Sequence, residues 1–269
     1  MHPLLNIAIK ASRAAGCVII KYMDRVDGLT ITSKGRNDYV SEVDRQAETE
    51  IIRIIRKAYP QHGILAEESG PGKEDGTLDP DYTWIIDPLD GTTNFLHGFP
   101  QFAVSIALVH KGVLEQAVVY DPLANELFTA SRGSGAFFND KRMRVSKAKQ
   151  LEGALLGTGF PFKEHRYVDN YLQMFKSLML QTAGIRRAGS AALDLAYVAC
   201  GRLDGFWEIG LKPWDLSAGA LLIKEAGGVI TDFNGGADYI RKGNVVCGNH
   251  RIQQAIQQAI HPFLTPGLD

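Results

Sequence analysis

Hydrophobic residues recur every three or four positions in two segments near the N-terminus, which predicts two amphipathic helices. The first apolar face consists of Leu4, Ala8, Ala11, Ala15, Val18 and Tyr22, so that helix is expected to run to about Met23. The second apolar face consists of Val43, Ala47, Ile51, Ile54, Ile55 and Ala58. Ser41 and Asp44 stand where a capping box would begin the second helix, and Pro60 would end it.

Apolar runs of strand length follow. They cover residues 64–66, 84–86, 102–109, 113–120 and 126–131. Because only short polar segments separate the last three runs, they predict an antiparallel meander. After about residue 150 the pattern changes to a strand at 154–158 and helices at 168–180, 193–200, 214–226 and 251–260. That alternation is typical of a mixed α/β unit.

We therefore expect two halves, residues 1–150 and 151–269. The first half would hold the antiparallel sheet, and the second would hold the mixed unit. No segment rich in glycine, proline or serine separates them, so they are expected to pack as one body.

The strongest chemical signal is the end of the apolar run at 84–86, which leads into Asp87-Pro88-Leu89-Asp90-Gly91-Thr92-Thr93. Pro88 disfavours continuation of a strand, so we expect a turn that aims both carboxylates and the Leu89 carbonyl at one point. These hard oxygen donors suit Mg²⁺ or Mn²⁺ better than zinc. The glycine and threonines that follow offer N–H groups and hydroxyls to a phosphate.

An ordinary Asp-Gly turn with two solvated acids would have the same local sequence. Other acids stand at similar junctions, however: Glu67 and Glu68 follow a short strand, Asp215 lies near the start of a predicted helix, and Asp44 lies in a first helical turn. Each alone could be a helix cap or a surface charge. Their recurrence at the ends of elements, beside a phosphate-type loop, favours a metal site.

Three of these segments together resemble the inositol monophosphatase family. Residues 84–95 resemble its first signature, D-P-[L/I]-D-G-T-x-N-[F/Y]. The W-D-L-S-A-G run from Trp214, with E-A-G-G from Glu225, resembles the second signature, and Glu67-Glu68-Ser69 resembles its E-E-S element. The order and spacing fit over essentially the whole chain. Residues 186–197 and 201–206 are most similar to the bacterial SuhB branch of the family.

The resemblance implies a role for each matching residue. The metal ligands would be Glu67, Asp87, the Leu89 carbonyl, Asp90 and Asp215. The catalytic residues would be Glu67, Thr92 and Asp44, with Thr92 and Asp44 forming a hydrogen-bonded pair that helps to position the attacking water. The substrate contacts would be Leu89, Asp90, Gly91, Thr92, Arg186, Gly189, Ser190, Ala191, Glu208 and Asp215.

The resemblance also implies an α+β fold, a layered α-β-α-β-α sandwich with an antiparallel N-terminal sheet and a mixed C-terminal sheet. It further implies a homodimer, inhibition by lithium, and Mg²⁺ as cofactor, with Mn²⁺ able to substitute. The expected reaction is hydrolysis of a small phosphorylated polyol, first of all inositol monophosphate. Such a reaction requires charge neutralisation and an aligned water, which two divalent cations can provide.

Two alternatives remain open. The first is a relative that cleaves fructose bisphosphate or 3′-phosphoadenosine phosphates, which would share the metal motif because that motif contacts only the phosphate. Glu208 favours a neutral polyol instead, because it would accept hydrogen bonds from hydroxyls. The second alternative is an interaction protein, because the SuhB branch is associated with ribosomal RNA transcription through Nus factors and RNA polymerase. Lys141-Arg142-Met143-Arg144 and Arg186-Arg187 would suit such a partner, or simply a solvated or dimeric surface.

The composition argues against several other classes of protein and of binding site. Lys+Arg number 29 and Asp+Glu 30, so the basic excess typical of direct nucleic-acid binding is missing. The three cysteines are an odd number and far apart, which favours reduced thiols over disulfides. The seven histidines are scattered, which argues against a zinc site. The sequence contains no uninterrupted apolar run near the roughly 18 residues that cross a bilayer. Lys10 and Arg13 interrupt the N-terminal apolar stretch, so we expect a cytoplasmic protein without a membrane span.

Overall fold

The computed structural model describes residues 2–23, 31–35, 38–71, 79–162 and 164–268. The helices within these ranges are α1 Pro3–Tyr22, α2 Glu42–Ala58, α3 Thr92–Leu96, α4 Val168–Met179, α5 Ala191–Ala199, α6 Pro213–Glu225, α7 Tyr239–Lys242 and α8 His250–Ile260. The strands are β1 Ile31–Gly35, β2 Asp38–Ser41, β3 His62–Ala66, β4 Gly70–Pro71, β5 Asp79–Asp90, β6 Ala103–His110, β7 Val113–Asp121, β8 Glu126–Ser131, β9 Gly135–Phe138, β10 Lys141–Arg142, β11 Leu155–Thr158, β12 Gly184–Arg186, β13 Gly205–Glu208, β14 Val229–Thr231 and β15 Val245–Gly248.

The two N-terminal helices form as the apolar spacing predicts. The predicted capping box of α2 is present, because the Ser41 side chain accepts a hydrogen bond from the Val43 N–H at 3.1 Å. The Asp44 carboxylate in turn accepts from the Ser41 N–H at 2.8 Å. The helix ends at Ala58, directly before Tyr59 and Pro60. Helix α2 therefore begins and ends where its local sequence signals predict.

The large sheet has the strand order β10-β9-β8-β7-β6-β5-β3-β4. Strands β5 to β9 follow one another in the sheet and each pairs antiparallel with the next, which confirms the predicted meander. The sheet departs from the expected purely antiparallel arrangement at one pair, because β3 and β5 are parallel. Ala66 pairs with Ile86 across these two strands, so the chain emerges from both at the same edge of the sheet.

The small sheet has the order β12-β11-β13-β15-β14 and is mixed, as predicted. Strand β11 is parallel to both β12 and β13, whereas β15 is antiparallel to both of its neighbours. The carboxyl ends of three parallel strands, β11, β12 and β13, therefore lie along one edge. Such an edge is where α/β sheets commonly build their binding sites.

The helices complete five layers. Helices α1 and α2 pack against each other and cover one face of the large sheet, while α5 and α6 lie between the two sheets. Helices α4 and α8 pack together beside the small sheet. This is the predicted α-β-α-β-α sandwich. All strands of the large sheet precede residue 150 and all strands of the small sheet follow it; the division into halves at that residue stays a prediction.

Helices α5 and α6 approach each other closely at Gly219. A Cβ atom at this position would lie 2.4 Å from the Leu195 Cβ, a distance that real atoms do not adopt. Glycine thus permits the contact between the two central helices. Because Asp215 lies in the first turn of α6, this contact also fixes the helix that carries a predicted metal ligand.

By length and composition alone, helix α1 is apolar enough to cross a membrane, although Lys10 and Arg13 interrupt its apolar run. A buried core helix meets the same criterion. Ala8, Ala11 and Ala15 of α1 are fully buried, and the helix packs on α2, β6 and β7. Its apolar face is occupied within the fold.

Candidate functional site

The predicted turn after Asp87 is instead a bulge within β5. Asp87 pairs with Ser105 and Asp90 with Ala103, so three steps along β5 oppose two steps along β6. The expectation that Pro88 ends the strand was wrong, because a bulge tolerates a residue without an N–H donor. The Leu89 N–H donates to Asp87 Oδ1 at 3.0 Å and stabilises this shape. The bulge lets both acids serve one site.

Three carboxylates converge at this bulge. Asp87, Asp90 and Asp215 each offer an oxygen atom, and these atoms all lie within 4.8 Å of one another. Asp215 is also held by the Lys212 N–H, which donates to its Oδ2 at 2.7 Å. Glu67 follows β3, and its N–H donates to the Ile86 carbonyl at 3.1 Å. Glu67 lines the same cavity but stands outside the group of three.

The pKa values of these acids are displaced upward. Burial raises the pKa of Asp87 well above its usual range, and the charges of Glu67, Asp90 and Asp215 raise it further. Burial also raises the pKa of Asp90 to about 6, although hydrogen bonds from Ser190 and Ala192 oppose the shift. Neighbouring acids that repel one another require positive charge to ionise together. Their hard oxygen donors and close spacing fit a divalent cation.

The Gly91–Thr92 step begins α3. Gly91 has a φ of 97°, and a Cβ there would lie 2.8 Å from the Gln101 carbonyl oxygen, so the position requires glycine. The Thr92 hydroxyl lies 2.8 Å from Asp44 Oδ1 and 3.1 Å from the Leu89 carbonyl. The resemblance implied the first of these hydrogen bonds, across 48 residues of chain.

The second half of the chain contributes the opposite wall. The Ser190 hydroxyl donates to Asp90 Oδ2 at 2.6 Å, and the Ala192 N–H donates to the same oxygen at 2.7 Å. Asp90 is thereby attached to the start of α5. Glu208, the last residue of β13, also lines the cavity. The carboxyl-end edge of the small sheet therefore faces the bulge of the large sheet.

The cavity between these walls has a volume of about 600 Å³. Most predicted site residues line it, namely Glu67, Asp87, Leu89, Asp90, Gly91, Thr92, Gly189, Ser190, Ala191, Glu208 and Asp215. Two do not. Asp44 is buried beneath Thr92, and Arg186 is an exposed residue at the end of β12.

Sequence reasoning missed several lining residues. Arg187, not Arg186, lines the cavity, with Phe160, Phe162 and Asp194. Phe160 and Phe162 follow β11, and Arg187 follows β12. Residues just beyond the carboxyl ends of parallel strands commonly line a binding site. The sequence alone could not identify them, because it does not show which strands are parallel neighbours.

Two further acids in the cavity are unusual. Burial, followed by the charges of Asp194 and Asp215, raises the pKa of Glu208 well above its usual range. Burial and the charge of Asp90 likewise raise the pKa of Asp194, whose Oδ1 has no hydrogen-bond partner among the described residues. The positive charge of Arg187 opposes both shifts.

Known proteins resemble this chain over its full length. A protein of Pseudomonas aeruginosa named Nus factor SuhB is 56% identical over 272 residues, covering 100% of this chain and 99% of that protein. The crystal structure of extragenic suppressor protein suhB from Bartonella henselae is 46% identical, with a TM-score of 0.92 over 96% of this chain and 98% of that one. An inositol monophosphatase structure from Anabaena is 41% identical, with a TM-score of 0.85, over 96% and 95% of the two chains.

The sequence profile of the inositol monophosphatase family matches residues 1–264. With the five-layer fold and the converging acids, this match confirms the resemblance drawn from the three motifs. The chain belongs to the inositol monophosphatase family.

Proposed function

We propose that the protein is a Mg²⁺-dependent phosphomonoesterase that hydrolyses inositol monophosphate and related small polyol phosphates. The observation that carries this proposal is the convergence of Asp87, Asp90 and Asp215 within 4.8 Å on one wall of the cavity. Membership of the inositol monophosphatase family supports a phosphoric monoester hydrolase. The choice of Mg²⁺ rests on the hard oxygen donor set.

In this proposal the metal would be held by Glu67, Asp87, the Leu89 carbonyl, Asp90 and Asp215. A divalent cation would there offset the charge of the phosphate oxygens and make a water more acidic. Thr92 and Asp44 would help to position the attacking water, and the Thr92 hydroxyl lies 2.8 Å from Asp44 Oδ1. Ser190 and the Ala192 N–H keep Asp90 in position, because both donate to its carboxylate. Gly91 and Thr92, which line the cavity at the start of α3, would contact the phosphate oxygens.

Recognition of the leaving group falls to the wall formed by the second half of the chain. Glu208 would accept hydrogen bonds from hydroxyls, and Gly189, Ser190 and Ala191 would approach the polyol ring. Arg186, included in the substrate contacts implied by the resemblance, lies outside the cavity lining, so its contact with substrate has no support from the geometry.

A phosphate-release assay tests this function directly. The panel contains inositol monophosphate, fructose 1,6-bisphosphate and 3′-phosphoadenosine 5′-phosphate, each with and without Mg²⁺, and with Li⁺ as a family inhibitor. We expect Mg²⁺-dependent release with the highest kcat/KM for inositol monophosphate. A clear preference for the adenosine bisphosphate would contradict the substrate, and release that is insensitive to Mg²⁺ would contradict the mechanism.

A second function is favoured by a separate observation. The P. aeruginosa relative with 56% identity is named a Nus factor. We propose that this chain also binds a transcription complex containing RNA polymerase and Nus factors, as a cytoplasmic homodimer. The test is a pull-down with wild-type protein and an Asp87→Asn variant. Equal binding by both would support a role independent of catalysis, and no binding by the folded wild-type protein would contradict it.

A further inference from the structure

The mouth of the cavity contains a cation that the proposed reaction does not use. The Arg187 guanidinium is stacked against two aromatic rings, with its Cζ atom 5.2 Å from the centre of the Phe160 ring and 5.1 Å from that of Phe162. All three residues line the cavity. Aromatic contacts on a guanidinium limit its motion while leaving the N–H groups at its edge accessible.

The aromatic pair is anchored to the core. The Phe160 ring meets Phe162 edge-on at 5.6 Å between centroids and meets Tyr171 edge-on at 5.7 Å. Tyr171 is buried, and its hydroxyl lies 3.0 Å from that of Thr158. Both rings are themselves exposed, but the contact of Phe160 with Tyr171 attaches the pair to the packed structure of the second half. A preformed site loses less conformational entropy when a ligand binds.

The hydrogen-bonding groups of Arg187 are uncommitted. Within the described residues, its guanidinium makes no hydrogen bond or ion pair with the protein. Arg187 is also exposed and lines the cavity, so a ligand can reach it. Space beside it is kept open by Gly189, because a Cβ there would lie 2.6 Å from Arg187 Nη1. Arg187 therefore offers several donors, in a fixed plane, to whatever occupies this end of the cavity.

The surroundings of Arg187 favour a hydroxyl over a second anion. Asp90, Asp194 and Glu208 line the same cavity as Arg187. A second phosphate beside Arg187 would also lie against these three carboxyl groups, which add no positive charge to bind it. A hydroxyl can accept from Arg187 and donate to Glu208 at the same time, because it is both acceptor and donor.

We propose that Arg187, packed against Phe160 and Phe162, is a specificity-determining residue that donates hydrogen bonds to hydroxyl oxygens of a polyol leaving group in the cavity that Glu208 also lines. The inference rests on the proposed phosphatase function and adds a residue pair, Arg187 and Glu208, that contacts the hydroxyls of the leaving group. The bond broken remains the phosphoester bond, so Arg187 contributes to selection among leaving groups and not to the chemical step.

The test compares an Arg187→Gln variant on inositol monophosphate and on 4-nitrophenyl phosphate, whose leaving group carries no ring hydroxyls. We expect kcat/KM for inositol monophosphate to fall about ten- to a hundredfold, mainly through KM, with little change for 4-nitrophenyl phosphate. Arg187→Lys keeps the charge but loses the planar arrangement of N–H donors. Its kcat/KM for inositol monophosphate should lie between those of wild type and Arg187→Gln. Arg142→Gln is the matched control, because Arg142 is also exposed and stacked on a ring, Phe137 at 5.2 Å, but does not line the cavity.

Two results would overturn the proposal. An unchanged ratio of the two kcat/KM values, whether both fall equally or neither falls, would mean that Arg187 does not contact the leaving group. A larger loss on fructose 1,6-bisphosphate than on inositol monophosphate would mean that it binds a second anion. Failure of the underlying function has a different signature, since wild-type protein would then release no phosphate from any ester in the presence of Mg²⁺.

Discussion

The hydroxyl of Thr92 lies 2.8 Å from Oδ1 of Asp44, a residue 48 positions earlier in the chain. The other carboxylate oxygen of Asp44, Oδ2, accepts a hydrogen bond from the Ser41 N–H at 2.8 Å. One aspartate therefore caps α2 with one oxygen and orients a cavity residue with the other. Asp44 thereby connects the capping box of α2 with the candidate site.

Replacing Thr92 by valine should separate these two roles. The variant keeps the shape of the side chain and the capping box of α2 but removes the hydroxyl that Asp44 orients. We expect kcat to fall about a hundredfold or more, in line with the usual contribution of a positioned proton-transfer group. The melting temperature should fall by only a few degrees. Phosphate release and thermal unfolding measure the two effects.

Thr92→Ser is the matched control for that experiment, because it retains the hydroxyl. It should keep most of the wild-type kcat. If Thr92→Val were as active as Thr92→Ser, the Thr92–Asp44 pair would have no part in positioning the water.

Local sequence signals predicted much of this fold. The capping box at Ser41, the two apolar helix faces and the meander all depend on residues close together in the chain, whose spacing is visible in the sequence. The resemblance in turn implied the acids at Asp87, Asp90 and Asp215, which do converge.

Features that depend on strand order could not be predicted. The parallel pairing of β3 with β5 is decided by packing of distant segments, and only that pairing puts Glu67 next to Asp87. Arg186 was a substrate contact implied by the resemblance, and a resemblance between sequences does not say which of two adjacent residues turns into the cavity; in the structure Arg187 lines it. The bulge around Pro88 was misread as a turn, because both tolerate proline.

Replacing Asp87 by asparagine should have opposite effects on activity and on the stability of the metal-free protein. Asp87 is buried and repelled by Glu67, Asp90 and Asp215. Asparagine removes that repulsion, so the variant should melt at a higher temperature than wild type in the presence of a chelator. Phosphate release should fall at least about a hundredfold, because a ligand that neutralises the cation is lost.

Magnesium should distinguish the two proteins further. Mg²⁺ at about 100 times its dissociation constant would stabilise wild type by about 2.7 kcal/mol, and the Asp87→Asn variant by much less. Thermal unfolding with chelator and with Mg²⁺ measures both. Asp238→Asn is the control, since Asp238 forms an exposed pair with Arg241 away from the cavity. A wild-type melting temperature that ignores Mg²⁺ would contradict a metal site at these acids.

Gly219→Ala should destabilise the protein and weaken the site at a distance. The added Cβ would lie 2.4 Å from the Leu195 Cβ, and both atoms are fixed to helix backbones that must move apart. Overpacking of this kind costs about 1–3 kcal/mol. Because α6 carries Asp215, the shift should also raise the Mg²⁺ concentration needed for half-maximal activity. Denaturant unfolding and Mg²⁺ titration test the two parts, and an unchanged free energy of unfolding would contradict the close approach.

Asp194→Asn should become more stabilising, relative to wild type, as pH rises. Asp194 is 2% exposed, and burial followed by the charge of Asp90 raises its pKa. The unfolded chain has an ordinary aspartate pKa of about 3.9, so above that pH the folded protein retains a proton that the unfolded chain has lost. In that window the free energy of unfolding falls as pH rises, until the pH passes the folded-state pKa. Asparagine does not titrate and escapes this loss.

The difference in melting temperature, variant minus wild type, should therefore increase from pH 4.5 to pH 8 with chelator present in both samples. The same series with Asp238→Asn, a substitution away from the cavity, is the control. A difference for Asp194→Asn that stays constant or shrinks would mean that Asp194 is ionised in the fold at no cost, and that the charge of Arg187 suffices to hold it.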